Sequence, residues 1–376
     1  MLAKIILSIF MVCVVSANES LLVTKVPGNV LGIKTTSKAW MSANFVSIKT
    51  YPMVSIKTND LKANRLNFEG GTKNIQVKAL YDGKNIAFLL KWRDSTKNIA
   101  DRLSTDSFED GFGIEMPDKL DVMPYVDFGD RKNGVIYFMA KAGLDLPLQS
   151  NDSVLFGQNE TKQTDNAINV TEEGYRFFGF RTFRRINLQN SDTTMDLRYK
   201  NGYWLGSISK QIVDKFSNLN SGAFIVSFSI YDGQKAQRGR LRNLSAWIVV
   251  KLEGMDTGEQ LAEKMNEKIA GDTTNGEKIA LKNCSICHRY KQVTRAPKYM
   301  APDLSFIGGY GNLEYLKESI LNPNMVQVED FTTTAHPNFS WSETNEEGKD
   351  ISIMPSFDWM SKGKIDDLLA FLQTLK

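Results

Sequence analysis

Histidine and cysteine are the scarcest residues in this 376-residue chain, with two and three copies. No nucleophile triad, phosphate-binding loop or second cluster of metal ligands can be assembled from the sequence, which argues against an enzyme. Charge of one sign is also missing. The formal net charge is only +3, and there is no long basic run, so nucleic acid is not expected as a partner. Past the N-terminus no apolar run is long enough to cross a bilayer, so the mature chain is expected to carry no transmembrane segment. Strand–helix–strand patterning is absent too, which removes a thioredoxin-like reading of any cysteine pair.

What is present begins with an export signal over residues 1–17. Lys4 supplies the positive start, Ile5 to Val15 the apolar middle, and Val15-Ser16-Ala17 a small-residue cleavage site. An uncleaved anchor is the alternative, which so short an apolar run does not favour. Cys13 follows bulky Met11 and Val12, unlike a lipoprotein box. Removal of the signal leaves Cys284 and Cys287 as the only thiols, and the periplasm is the expected location.

Hydrophobic residues make up 42% of the chain, enough for real cores, and the length favours two or three domains. Residues 18–253 are β-rich. Ile75, Val77, Ala79 and Tyr81 alternate with polar neighbours, as do Ile86, Phe88, Leu90 and Trp92 beyond the turn Asp82-Gly83-Lys84-Asn85. Alternation on both sides of an Asp-Gly turn predicts a hairpin. Phe224 to Ile230, Asp232-Gly233 and Leu244 to Val250 repeat the arrangement, and the whole predicts an antiparallel β-sandwich. Between the two strands of that second unit, Lys235 to Arg242 reads as a basic, solvated loop that could meet an acidic partner surface or haem propionates. Residues 254–274 are polar and glycine-rich and read as a linker, in which Leu261 to Ile269 could form a short helix.

From 275 to 376 the period becomes helical, which predicts an all-α domain. Asn275 can cap a helix running to Tyr290. Leu313, Leu316 and Ile320 form a stripe ended by Pro323, and Ser361 can cap a last helix carrying Ile365, Leu368, Leu369 and Leu372. The first helix carries Cys284-Ser285-Ile286-Cys287-His288, the attachment pattern of a c-type haem. Each thiol adds across a vinyl group of one porphyrin, and the adjacent His288 offers an imidazole nitrogen to the iron. A zinc site on the cysteine pair would want further Cys or His ligands, and only His336 remains. Opposite His288 the candidates are Met300, Met325, Met354, Met360 and His336.

Two of these stretches resemble class I cytochromes c. Ala301-Pro302-Asp303-Leu304 is similar to that family's Gly-Pro-x-Leu segment, whose proline carbonyl takes the proximal histidine's Nδ1 proton, although the glycine is Ala301 here. Ile353-Met354-Pro355-Ser356-Phe357 looks like the family's Met-Pro loop. The resemblance implies a cytochrome c fold in which Pro302 orients His288 and Met354 is the distal ligand. Met300 and Met360 are expected to be packing residues, and Ser342 to Asp350 a solvated acidic loop. With both axial positions filled, the iron would pass single electrons and take no substrate.

The β-rich region resembles the haem b-binding γ subunits of ethylbenzene dehydrogenase and dimethylsulfide dehydrogenase. The carriers are Val77 to Gly83, Leu90-Lys91-Trp92-Arg93-Asp94, Phe108-Glu109-Asp110, Phe128-Gly129-Asp130, Val135-Ile136-Tyr137, Ser229 to Gly233 and Ser245-Ala246-Trp247. The resemblance implies a haem b and a periplasmic partner of the molybdenum oxidoreductase class. It departs at the iron ligands. The expected methionine falls on Phe128 and the expected lysine on Arg242, and neither offers a lone pair to iron. Met123, Met139, Lys141 and Lys235 are nearby substitutes. The expected function is a periplasmic cytochrome passing electrons between that oxidoreductase and the respiratory chain. The alternative is a ligand- or carbohydrate-binding sandwich with an attached redox domain, its groove lined by Trp40, Trp92, Tyr203 and Trp204.

Overall fold

The computed structural model describes residues 20–53, 60–99, 107–119, 123–127, 129, 133–143, 170–177, 183–188, 192–255, 259–265, 267–325 and 341–376. The export signal, Phe128 and His336 lie outside the described residues.

Among the described residues, thirteen strands form the N-terminal part. They are β1 (Leu21–Lys25), β2 (Val46–Pro52), β3 (Lys73–Tyr81), β4 (Asn85–Arg93), β5 (Gly111–Pro117), β6 (Val135–Ala142), β7 (Val170–Phe177), β8 (Phe183–Arg185), β9 (Thr194–Lys200), β10 (Tyr203–Gln211), β11 (Ala223–Tyr231), β12 (Asn243–Ser245) and β13 (Ile248–Leu252). Their order is β8-β7-β6-β5-β11-β12-β2-β3-β4-β10-β9, and β1 and β13 make a second bridge between β3 and β11. The sheet folds back on itself into two layers. Phe88 of β4 meets Phe228 of β11 edge-on at 5.7 Å, and Trp92 of β4 meets Phe112 of β5 at 6.2 Å. Alternation along each strand sends one face into this shared core.

The first hairpin forms as its pattern predicts, with Tyr81 opposite Ile86. Its turn is held by Asp82, whose carboxylate accepts from the N–H groups of Lys84 and Asn85 at 2.8 and 2.7 Å. Two features depart from a purely antiparallel sandwich. β1 pairs in parallel with both β13 and β3, because it enters from outside the hairpins and covers the seam between layers. A helix, α1 (Leu61–Glu69), also interrupts the strands, started by Asp60, whose side chain accepts from the Ala63 N–H at 2.9 Å.

The C-terminal part contains α2 (Glu259–Met265), α3 (Thr273–Asn283), α4 (Ile307–Tyr310), α5 (Leu313–Leu321), α6 (Lys362–Leu372) and a small hairpin of β14 (Ser342–Thr344) and β15 (Asp350–Ser352). The hairpin means that this part is not all-α. It sits where a plain acidic loop is expected, because Asn345 folds the chain back by accepting from Glu347 and Lys349. Nor is Asn275 the cap of α3. Asp272 takes that role, accepting from Thr274 and Asn275 N–H groups, and leaves Asn275 free to donate to Asp367 of α6. Gly276 lets the two helices touch, since a Cβ there would lie 2.0 Å from the Asp367 carbonyl oxygen. The stretch read as a linker is partly structured: Leu261, Ala262, Met265 and Ile269 pack on the C-terminal core.

One apolar cluster spans both parts. Tyr51, Met53, Ile225, Trp247 and Val249 from the strands join Ile307, Tyr310 and Leu368 from the helices. Tyr51 packs against Phe306 and Tyr310, each at 6.3 Å between ring centres. The fit depends on Gly309, where a Cβ would come within 2.4 Å of the buried Tyr51 ring. Gly309→Ala is therefore expected to destabilise the chain by about 1–3 kcal/mol, read as a lower urea midpoint. An unchanged midpoint would show that the contact is slack.

Candidate functional site

The helical part encloses a cavity of about 320 Å³ whose walls include Cys284, Cys287, His288, Pro302 and Met354. That size lies within the roughly 300–1,000 Å³ of small-molecule sites. Apolar side chains, among them Leu304, Ile307, Ile320, Phe357, Leu368 and Leu372, complete it. The sequence motif thus meets, in one cavity, two segments that lie fourteen and sixty-six residues beyond His288.

The cysteine motif does not ride on a helix. α3 ends at Asn283, with Cys284 as its cap. The chain then coils in turns, because the Cys284 and Ser285 N–H groups both donate to the Ala280 carbonyl while those of Cys287 and His288 donate to the Cys284 carbonyl. Ser285, fully buried, ties the bend down by donating to the Leu281 carbonyl at 2.6 Å. Both cysteines are free thiols.

His288 Nδ1 lies 2.7 Å from the Pro302 carbonyl oxygen. A carbonyl only accepts, so Nδ1 carries the proton and Nε2 keeps its lone pair. Burial, more strongly than the opposing pull of Pro302 and Asp303, holds the imidazole pKa below its ordinary value. The ring is therefore neutral at pH 7, the form a metal requires. Burial also pushes the Cys284 thiol up to about 12, with Cys287 adding to the effect. Among the other methionines, Met300 lines the same cavity, Met360 is buried in the core and Met325 is exposed. Two thiols, a neutral imidazole with a fixed tautomer, a thioether and apolar walls make a donor set that fits a covalently attached haem.

The sandwich holds a second, polar centre. Arg242 is 2% exposed, its guanidinium 2.5 Å from Asp127 Oδ1 and 3.7 Å from Glu115 Oε2. Arg240 donates to the other Asp127 oxygen at 2.7 Å. Asp127 is held at φ 114°, a strained value for any residue but glycine, and its N–H donates to Glu115 Oε1 at 2.8 Å. Burial pushes the Glu115 carboxyl well above its usual range despite the pull of Arg242. The loop read as solvated thus turns two of its arginines inward. Glu115, in an otherwise apolar strand, is the one sequence signal that could have announced this; Asp127 gave none.

The ethylbenzene dehydrogenase family matches residues 37–242. The chain belongs to this family. Among curated proteins none gives a significant match. Two solved structures of a family 9 carbohydrate-binding module from Caldicellulosiruptor kristjanssonii are similar over 64% of this chain. With glucose the identity is 12%, the TM-score 0.32 and the coverage 98% of that chain. With cellotriose these are 10%, 0.35 and 97%. A putative carbohydrate-binding protein from Bacteroides uniformis is 9% identical over 62% of this chain and 99% of its own, with a TM-score of 0.31. At such scores these likenesses carry no functional weight. The aromatics expected in a sugar groove are mostly core: Trp40, Trp92 and Trp204 are buried, and only Tyr203 reaches solvent.

In this ethylbenzene dehydrogenase family member, the position that the resemblance assigns to a haem b lysine is the buried, ion-paired Arg242. It cannot release a lone pair while Asp127 holds its charge. Three of the four substitutes are also engaged: Met139 Sδ accepts from the Tyr231 hydroxyl at 3.9 Å, Lys141 faces Glu109 at 3.7 Å, and Met123 lies in the cluster shared with the helices; the fourth, Lys235, is half-buried. Arg242 and the three engaged residues do not fit a haem b at that place. Asp127→Ala strands two arginines around one buried site and is expected to cost about 3–5 kcal/mol, measurable by urea denaturation. A loss below about 1 kcal/mol would mean that water already screens the network.

Proposed function

We propose that the chain is an exported, periplasmic electron-transfer protein with one covalent haem c and a sandwich domain without haem b. The observation that carries the reading is the single cavity on which both thiols, His288 and Met354 converge, with His288 Nδ1 already committed to Pro302. Cys284 and Cys287 would hold the haem covalently through thioethers, His288 Nε2 and Met354 Sδ would hold its iron, and the Pro302 carbonyl would orient the imidazole. When bound, the haem supplies a one-electron iron couple, tuned by its His and Met ligands. The apolar walls would keep water away from it and so limit the solvent reorganisation that each electron transfer demands.

Membership of the ethylbenzene dehydrogenase family supports association with an oxidoreductase complex. We place the partner in the molybdenum class and assign the sandwich the docking role, with electrons passing between that enzyme and the respiratory chain. Tethering the haem domain to a docking domain gives it a high effective concentration at the partner. A sugar-binding sandwich is the weaker reading, because its proposed aromatic platform is buried.

Protein matured in a host that attaches c-type haem and also supplies haem b should show one c-type haem per chain and no b-type haem by pyridine haemochrome. Cys284→Ala with Cys287→Ala should abolish covalent haem, and Met354→Ala should convert a low-spin spectrum to high-spin while the haem stays attached. Absence of covalent haem in the unaltered chain would sink the proposal. A second, b-type haem would overturn the docking role of the sandwich.

A further inference from the structure

Three carboxylates gather inside the sandwich, away from both centres described above. Asp94 follows β4, Asp110 precedes β5 and Asp232 follows β11. They offer oxygens that lie within 4.8 Å of one another, and all three residues are buried.

Their hydrogen bonds leave one place open. Asp110 is fully engaged, accepting from the Asn98 N–H at 2.7 Å, the Trp204 indole at 3.0 Å and the Gly233 N–H at 2.8 Å. Asp232 accepts from Lys73 Nζ at 2.8 Å and from the Lys235 N–H at 3.2 Å. Asp94 Oδ1 accepts both the N–H and the hydroxyl of Thr96, at 3.0 and 2.9 Å. Asp94 Oδ2 has no partner, although the residue is only 7% exposed. The amide oxygen of Asn98, whose N–H is bound to Asp110, is a second buried oxygen without a partner. A buried polar atom left so is costly, by roughly 1–3 kcal/mol.

Charge points the same way. Among the described residues Lys73 is the one cation paired with the three carboxylates, which leaves a deficit of two positive charges if all three are ionised. An all-oxygen donor set around a deficit of two suits a hard divalent ion that accepts irregular coordination.

We propose that Asp94, Asp110 and Asp232 form a calcium site, with Asp94 Oδ2 as its free ligand. The bound ion ties together the ends of β4, β5 and β11, which come from both layers, and so acts as a staple for the sandwich independently of any haem. Lys73 keeps its bond to Asp232 and sets the charge match.

The test uses the full-length chain, stripped with EDTA and titrated with calcium chloride by calorimetry and by thermal unfolding. Calcium at about a hundred times its dissociation constant should raise Tm by about 3 °C or more. Asp94→Asn keeps the Thr96 contacts but weakens the open ligand, and should cut affinity at least tenfold. Neither heat nor a Tm shift in the unaltered chain would overturn the proposal. Calcium binding that is unchanged in Asp94→Asn would overturn it as well. If that variant does not fold, the same titration of Asp232→Asn decides: a tenfold loss of affinity supports the site, and unchanged binding places the ion elsewhere.

Discussion

The helical part cannot close its own core. Its helices are short, α4 having only four residues and the longest two eleven. Burial scales poorly in so small a unit. Side chains from α3, α5, α6 and the two loops between them line a cavity instead of meeting in the middle. A packed interior normally leaves voids no larger than a water, so a space of about 320 Å³ is a large departure. In the function proposed above, a haem held by these residues would complete this core. Fixing Nδ1 of His288 on the Pro302 carbonyl would then serve packing and chemistry together.

The sandwich supplies the other wall. Tyr315 lines the cavity and packs, tilted, at 4.2 Å against Tyr125 of the strand-rich part, while Trp247 donates to the Pro124 carbonyl at 2.8 Å beneath that contact. Behind Tyr125 the short run to Asp127 enters the ion network of Arg240, Arg242 and Glu115. A buried ion pair is a weak source of net stability but fixes geometry firmly, since losing either partner is expensive. The network therefore holds the loop of residues 123–127 in the conformation that receives the helices.

Much of this was legible in sequence because it was local. Alternation with period two and the Asp82 turn specify the first hairpin, and the spacing of Cys284, Cys287 and His288 specifies a chemistry. Pro302 and Met354 were recognisable through their loops, and the cavity brings both to His288. What escaped was decided by tertiary contact. β1 carries no sign that it will pair in parallel on two sides. Asp272 outcompetes Asn275 as a cap because Asp367 of α6, far along the chain, offers Asn275 a better partner. Arg240 and Arg242 look like solvated charge in a basic run, and only the arrival of Asp127 from another loop turns them inward. The three aspartates stand in unremarkable turn contexts, Asp232 beside a glycine. Their convergence needs the layers to close.

The arginine at position 242 bears on how electrons could move. A relay of two haems needs an iron ligand in the sandwich, and the guanidinium there is committed to Asp127 and buried. With the single redox centre proposed above, transfer would depend on bringing the partner's own centre close to the helical part. The sandwich packs against that part through Tyr51, Phe306 and Tyr310, so docking on the sandwich would also orient the cavity. A flexible linker would give reach, but a packed aromatic interface gives orientation. For a carrier with one centre, orientation is the more useful property, because each encounter either meets the haem edge or fails.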